Sequence, residues 1–176
     1  MTVEVALNSP KIIVWCTMSS NEIIGSFFFE ELTANQENYL DMLESFFYPY
    51  LQRRRLTKKI IFQQDDAPAH FAKSIRSWLN NKLDNRWIGR GGSISWAPRS
   101  PDMTSLDFFL WGYIKNNVYK NNLKDLDDLK IKLIQEIRSI EKEMLKNVFS
   151  EIEKRLSFCI SVEGNTFEQY FSNFVL

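Results

Sequence analysis

Histidine occurs once and cysteine twice in this chain of 176 residues, and these scarcities close off several chemistries. Cys16 and Cys159 stand in neither a Cys-x-x-Cys pair nor a spacing that includes the histidine, which excludes an ordinary structural zinc site. Two distant thiols suit a reducing compartment. No charged, apolar and small-residue opening marks a secretory leader. No run reaches the ~18–20 apolar residues of a membrane span. A soluble, intracellular protein is expected. The chain also lacks internal repeats, low-complexity stretches and any obvious linker, so its length fits one domain.

Net charge is missing as well, with 22 basic residues balancing 22 acidic ones. A neutral chain does not announce nucleic acid as a partner, because phosphate binding needs clustered Lys and Arg. The clusters here are local. Arg53, Arg54, Arg55, Lys58 and Lys59 form one basic run, and Arg86, Arg90 and Arg99 a looser set. Acid gathers later, from Asp125 to Glu143. The plain interpretation of the 53–59 run is a solvated helix end; the functional one is a phosphate-binding strip.

Apolar and aromatic residues are plentiful. Phenylalanine alone occurs 14 times, enough for a well-filled core. Lys11–Thr17 and Ile23–Glu30 are β-branched and aromatic runs that predict a strand pair, and their continuous apolarity predicts burial on both faces. From Asn38 to Arg55 the period changes to that of an amphipathic helix, which Pro49 should kink or end. Lys59–Gln64 predicts a strand that runs into the polar turn 65–70. Ile75, Trp78, Leu79 and Leu83 give a further helix. Trp87–Gly89 and Ser93–Trp96 are short strand candidates around Gly91-Gly92. Pro98 to Pro101 should form an extended loop. Thr104–Tyr119 predicts a helix, and Leu126–Ile160 one or two more, ending at Gly164. Strands first and helices last indicate an α/β or α+β domain with helices covering a mixed sheet.

Three places could carry chemistry. Asp65 ends an apolar strand and is followed by a turn stiffened by Pro68. A carboxylate fixed on both sides suits a metal ligand. The bland alternative is that Asp65 and Asp66 cap the next helix. Asp107 lies three residues after Thr104 at the head of an apolar helix, a pattern that also resembles a capping box. A divalent-metal role for Asp107 competes with that cap without excluding it. His70 is alone and follows a turn. A structural bond to the backbone or to a carboxylate near Asp65 is its plain role, and no nucleophile elbow accompanies it.

Taken together these segments stop being generic. Ile61 to His70 (IFQQDDAPAH) resembles the second-aspartate motif of mariner-like DNA transposases, and Trp96 to Gly112 (WAPRSPDMTSLDFFLWG) resembles their third-acid motif. Lys11–Cys16 and Ile23–Glu30 are similar to two strands of that family. Arg155–Cys159 with Gly164, Phe167 and Glu168 is similar to its C-terminal helix and tail. The resemblance spans nearly the whole chain, with two long motifs in the right order.

It implies a ribonuclease-H-like mixed sheet flanked by helices, and a catalytic acid triad in which Asp65 is the second acid and Asp107 the third. The 41 residues between them make a wider spacing than in mariner proper. Asp102 would shape the loop, with Pro68 and His70 supporting the site. The implied cofactors are two Mg²⁺ or Mn²⁺ ions, and the implied chemistry is metal-assisted DNA strand cleavage and transfer. Transposon-end DNA is the implied partner, held by Arg53, Arg54, Arg55, Lys58, Arg90 and Arg99, with a homodimer as in the family and a nuclear location. Two departures stand out. The family's first acid precedes the segment aligned with Lys11, where Glu4 is the single acid among ten residues. This predicts a domain without its first strand and first acid, without the family's helix-turn-helix module, and inactive alone. Asp66 also replaces a residue that is usually small. The competing expectation is a transposase-derived module that binds DNA or a protein without cleaving.

Overall fold

The structure is a computed structural model that describes residues 12–96, 100–120 and 123–165. Lys11, Arg99, Glu4, Phe167 and Glu168, to which expectations were attached, lie outside them. Two compact units make up the chain. The first holds most of residues 12–96 together with 123–130; the second holds 17–24, 100–120 and 131–165.

Strands β1 (Ile13–Met18) and β2 (Ile23–Phe29) form a two-stranded sheet, as their sequences predict. Their turn is closed by Ser19, whose N–H donates to the Glu22 carbonyl at 2.9 Å. The expected two-sided burial is not met. Only Cys16 and Ile24 are buried and the other residues are half-covered, so the apolar run is only partly screened from water.

Helix α1 (Gln36–Met42) starts where its cap dictates. Asn35 accepts the amides of Glu37 and Asn38, while the Asn38 side chain accepts the Asn35 amide, satisfying donors that a helix start otherwise leaves orphaned. Pro49 does not stop the helix. A π turn over Leu43–Phe47 leads directly into α2 (Tyr48–Arg53), with the Tyr48 amide bonded to the Leu43 carbonyl. The wider turn just before Pro49 makes room for a ring that would strain a continuous α-helix. Tyr39, Met42, Leu43, Phe47 and Leu51 are buried along one stripe. Phe47 meets Trp15 and Phe62 at ring distances of 5.3 and 5.0 Å. Each such side chain contributes about 1.5–3 kcal/mol by leaving water.

Strand β3 is shorter than expected, Phe62–Gln63, and pairs in parallel with β4 (Trp87–Ile88) in the register Phe62 to Trp87 and Gln63 to Ile88. The segment Ser93–Trp96 forms no strand and contributes a single bridge, Ile94 to Ile88. Between the paired strands run α3 (Pro68–Phe71) and α4 (Lys73–Lys82), the latter burying Ile75, Trp78 and Leu79.

In the second unit Pro101 opens a 3₁₀ turn, Pro101–Met103, instead of continuing an extended loop, because its fixed φ suits a first helical position. A π turn, Leu106–Leu110, passes into α5 (Trp111–Val118). Helices α6 (Leu126–Ser139) and α7 (Lys142–Ser161) are the last among the described residues, and Gly164 follows α7 with φ +79°. Met103, Phe109, Leu110, Ile114, Leu133, Ile137, Leu145 and Val148 are buried. The apolar stripe predicted through Leu156 and Ile160 is not buried at its end: both are exposed. No helix among the described residues is long and apolar enough to cross a membrane.

Candidate active site

Asp65 follows β3 after Gln64, so the strand fixes its backbone. Its Oδ1 accepts the Ala67 amide at 3.1 Å, an Asx-type turn that tightens the path into Pro68. The same oxygen lies 2.5 Å from Nδ1 of His70. The expectation that Asp65 or Asp66 caps the next helix is therefore corrected. The N-cap of α3 is Ala67, with no side-chain cap, because Asp65 spends its bonds one residue earlier and on the imidazole. The His70 bond holds the Asp65 carboxyl below the usual carboxylate range, aided by the imidazole's charge and the Ala67 amide, while partial burial works the other way. The carboxylate stays half-exposed, at 53%.

His70 is itself set by a relay that the sequence does not announce. Its ring lies 4.3 Å from the Tyr39 ring. The Tyr39 hydroxyl donates to Oε1 of Gln64 at 3.3 Å, and Nε2 of Gln64 donates to the His70 carbonyl at 3.0 Å. Gln64 is one of two buried polar or charged residues among those described. Only its place beside Asp65 at the end of an apolar strand could have drawn notice to it.

Asp66 is answered by Arg90, whose Nη1 lies 3.5 Å from Oδ1. The Arg90 guanidinium also sits 4.0 Å from the Phe71 ring centroid, and that of Arg76 at 4.6 Å. Nε of Arg76 donates to the Phe71 carbonyl at 3.1 Å. Two cations thus share one aromatic ring six residues along the chain from Asp65. Arg76 and Phe71 carry no motif and were not singled out. The run Arg53, Arg54, Arg55 and Lys58 is exposed at the end of α2 and in the turn after it, where cations complement the helix dipole.

In the second unit Asp107 is exposed on the π turn. Its amide donates to the Thr104 carbonyl at 2.9 Å. The capping box anticipated for Thr104 and Asp107 is not formed. The Thr104 hydroxyl turns back and donates to the Ser100 carbonyl at 3.3 Å, and no side chain caps the turn. Asp102 lies in the 3₁₀ turn, and its carbonyl accepts Nη1 of Arg155 at 2.8 Å.

Among the described residues no three His, Cys, Asp or Glu side chains group to hold a metal ion. Each of the two motifs offers a carboxylate, Asp65 in the first unit and Asp107 in the second. Asp65 directs both of its bonds to Oδ1, which leaves Oδ2 for a cation. That donor chemistry fits Mg²⁺ or Mn²⁺ and not a thiophilic metal.

The fold class is mixed α/β of the ribonuclease-H type, and the structural relatives make it more specific. Over 89% of its length the chain superposes on the Mos1 transposase catalytic domain solved with Raltegravir and Mg, with a TM-score of 0.77, 19% identity and 77% of that chain covered. On the Mos1 mariner paired end complex with Mn the TM-score is 0.81, with 20% identity over 94% of this chain and 48% of that one. In fold, the chain is similar to the catalytic domain of the Mos1 mariner transposase. In sequence it is similar to the transposable element Tcb2 transposase of Caenorhabditis briggsae, 22% identical over 127 residues. That match takes in 72% of this chain and 43% of the relative's length. No family model matches the chain. Sequence and fold thus each show a likeness to a DNA transposase.

Proposed function

We propose that this chain serves metal-dependent DNA strand cleavage and transfer, with Asp65 and Asp107 as metal-holding carboxylates. The observation that carries the reading is Asp65 itself. It sits at a strand end on a transposase fold, inside a motif of ten residues, with its carboxylate held by His70 and Ala67 and one oxygen left over. Mg²⁺ and Mn²⁺ are named in the structures of Mos1 that the chain resembles, and a transposon end in another.

Bound divalent ions supply charge stabilisation at a phosphoryl centre and lower the pKa of bound water. The chain's own residues do the rest. His70 fixes the rotamer of Asp65 and keeps it ionised. The relay Tyr39–Gln64 fixes His70. Arg90 offsets the charge of Asp66 beside Asp65, which answers the departure from the small residue usual in the family. Arg76 and Arg90, stacked on Phe71, and the basic end of α2 hold DNA phosphates, contacts that give affinity and register without reading sequence.

The test is a thermal melt with and without Mn²⁺, on the parent and on Asp65→Asn. Stabilisation by Mn²⁺ in the parent, absent in the variant, is expected. No shift with Mn²⁺ in the parent, or the same shift in Asp65→Asn, would remove Asp65 from any metal site. Salt-dependent DNA binding that survives Asp65→Asn without a metal effect would favour a non-catalytic binding module instead.

A further inference from the structure

We propose that Arg155 is the positioning residue for Asp107, acting from the C-terminal helix on the turn that presents the third acid. Arg155 is the one charged side chain that is buried among the described residues, at 9% exposure. Burying a guanidinium is unfavourable unless its N–H groups and its faces find partners. Arg155 makes both kinds of contact with the segment around Asp107. In plane, Nη1 donates to the Asp102 carbonyl at 2.8 Å. By its face, the guanidinium lies 4.1 Å from the Phe108 ring centroid. Asp102 precedes Asp107 by five residues and Phe108 follows it by one, so a single side chain grips both flanks of the acid.

The grip adds to what the local backbone bonds supply. Between the 3₁₀ turn and the π turn the backbone is extended at Thr104, and the local bonds are short-range: the Met103 amide to the Ser100 carbonyl at 3.1 Å, and the Asp107 amide to the Thr104 carbonyl at 2.9 Å. Neither joins the segment to another element. α7 packs on the 3₁₀ turn, and Arg155 makes a polar contact across that packing. Arginine is suited to the task because its planar fork can donate in plane while stacking by its face; lysine keeps the charge and loses the plane.

The inference rests on the reading of Asp107 as a ligand for a divalent cation. The experiment is therefore an Mn²⁺ titration of the full chain followed by electron paramagnetic resonance, well below each variant's melting temperature. Parent, Asp107→Asn, Arg155→Lys, Arg155→Met and the double variant Arg155→Lys/Asp107→Asn are compared. Arg155→Lys and Arg155→Met are expected to weaken Mn²⁺ binding about 10–100-fold, the usual effect of removing an outer support of a metal ligand. Asp107→Asn should weaken it at least as much, and the double variant no further, because Arg155 acts through Asp107. A merely structural role would not produce that non-additivity. If Arg155→Met fails to fold, Arg155→Lys decides. Unchanged affinity in Asp107→Asn sinks the metal reading beneath the proposal. Weakened binding in Asp107→Asn with unchanged binding in Arg155→Lys, or additive effects in the double variant, overturns the role of Arg155 while the metal reading stands.

Discussion

Replacing Gln64 by Leu tests the relay behind Asp65. The substitution removes two hydrogen bonds, that from the Tyr39 hydroxyl and that to the His70 carbonyl. Each is worth about 1 kcal/mol net. The Tyr39 hydroxyl is left in a place with almost no water, since that residue is 1% exposed. Stranding a buried hydroxyl donor adds about 1–3 kcal/mol. The total is roughly 3–5 kcal/mol, or roughly 6–20 °C in melting temperature for a domain of this size. Urea unfolding followed by tryptophan fluorescence measures it. The double variant Tyr39→Phe/Gln64→Leu supplies the sharper test, because removing both partners leaves no stranded pair between them. It should be less destabilised than the sum of the singles by about 1 kcal/mol or more. A destabilisation below about 0.5 kcal/mol in Gln64→Leu, or strict additivity, would refute the claim that this relay holds His70.

Other consequences follow from the same geometry. Asp65 has a depressed pKa, so the stability from its bond with His70 is complete above the ordinary aspartate value of about 3.9 and disappears as pH falls through the lower, folded-state value; the stability gap between parent and Asp65→Asn should accordingly close in acid, and a gap that widened there would contradict the sign. Substituting Met for Arg76 should weaken DNA binding evenly across sequences and lower the salt slope by about 0.9 for each phosphate that the variant no longer neutralises, read by fluorescence anisotropy at several ionic strengths. Gly92→Ala would push a Cβ to 3.0 Å from the ring of Trp87, which is fully buried and cannot retreat, so a destabilisation of about 1–3 kcal/mol is expected in urea unfolding. Burial pushes the Cys16 thiol up to about 12, so it should react with a disulfide reagent only on unfolding, whereas fast labelling in the native state would show that its strand pair opens.

How far the sequence could be followed depended on what kind of contact each residue makes. Asp65 was legible because its neighbours in the chain, the apolar strand and Pro68, are what fix it. His70 was legible as a support, since its partner lies only five residues away. Gln64 was not, because its value comes from Tyr39, 25 residues distant. Arg155 falls in a segment similar to the family's C-terminal helix, but its grip on a turn 53 residues earlier has no local signature. Helical spacing located α7 correctly and then overreached at Leu156 and Ile160. Periodicity says which residues share a face and not whether anything covers it. Thr104 failed for a different reason. Its hydroxyl had two acceptable uses within one turn, and bonding Ser100 competes directly with capping.

The π turn around Asp107 has a consequence for chain length. Such a turn takes one more residue than an α-helical turn to cover the same step. Deleting a single residue within Leu106–Leu110 would let the segment relax to an ordinary α-helix continuous with α5. The elements on either side would stay nearly in phase, because four α-helical residues turn through about the same angle as five π-helical ones. A deletion within α5 itself has no wider turn to absorb it and would rotate everything ahead of it, Asp107 included, by about 100° around the helix axis, so the aim of Asp107 is set by where a residue is counted as much as by its identity.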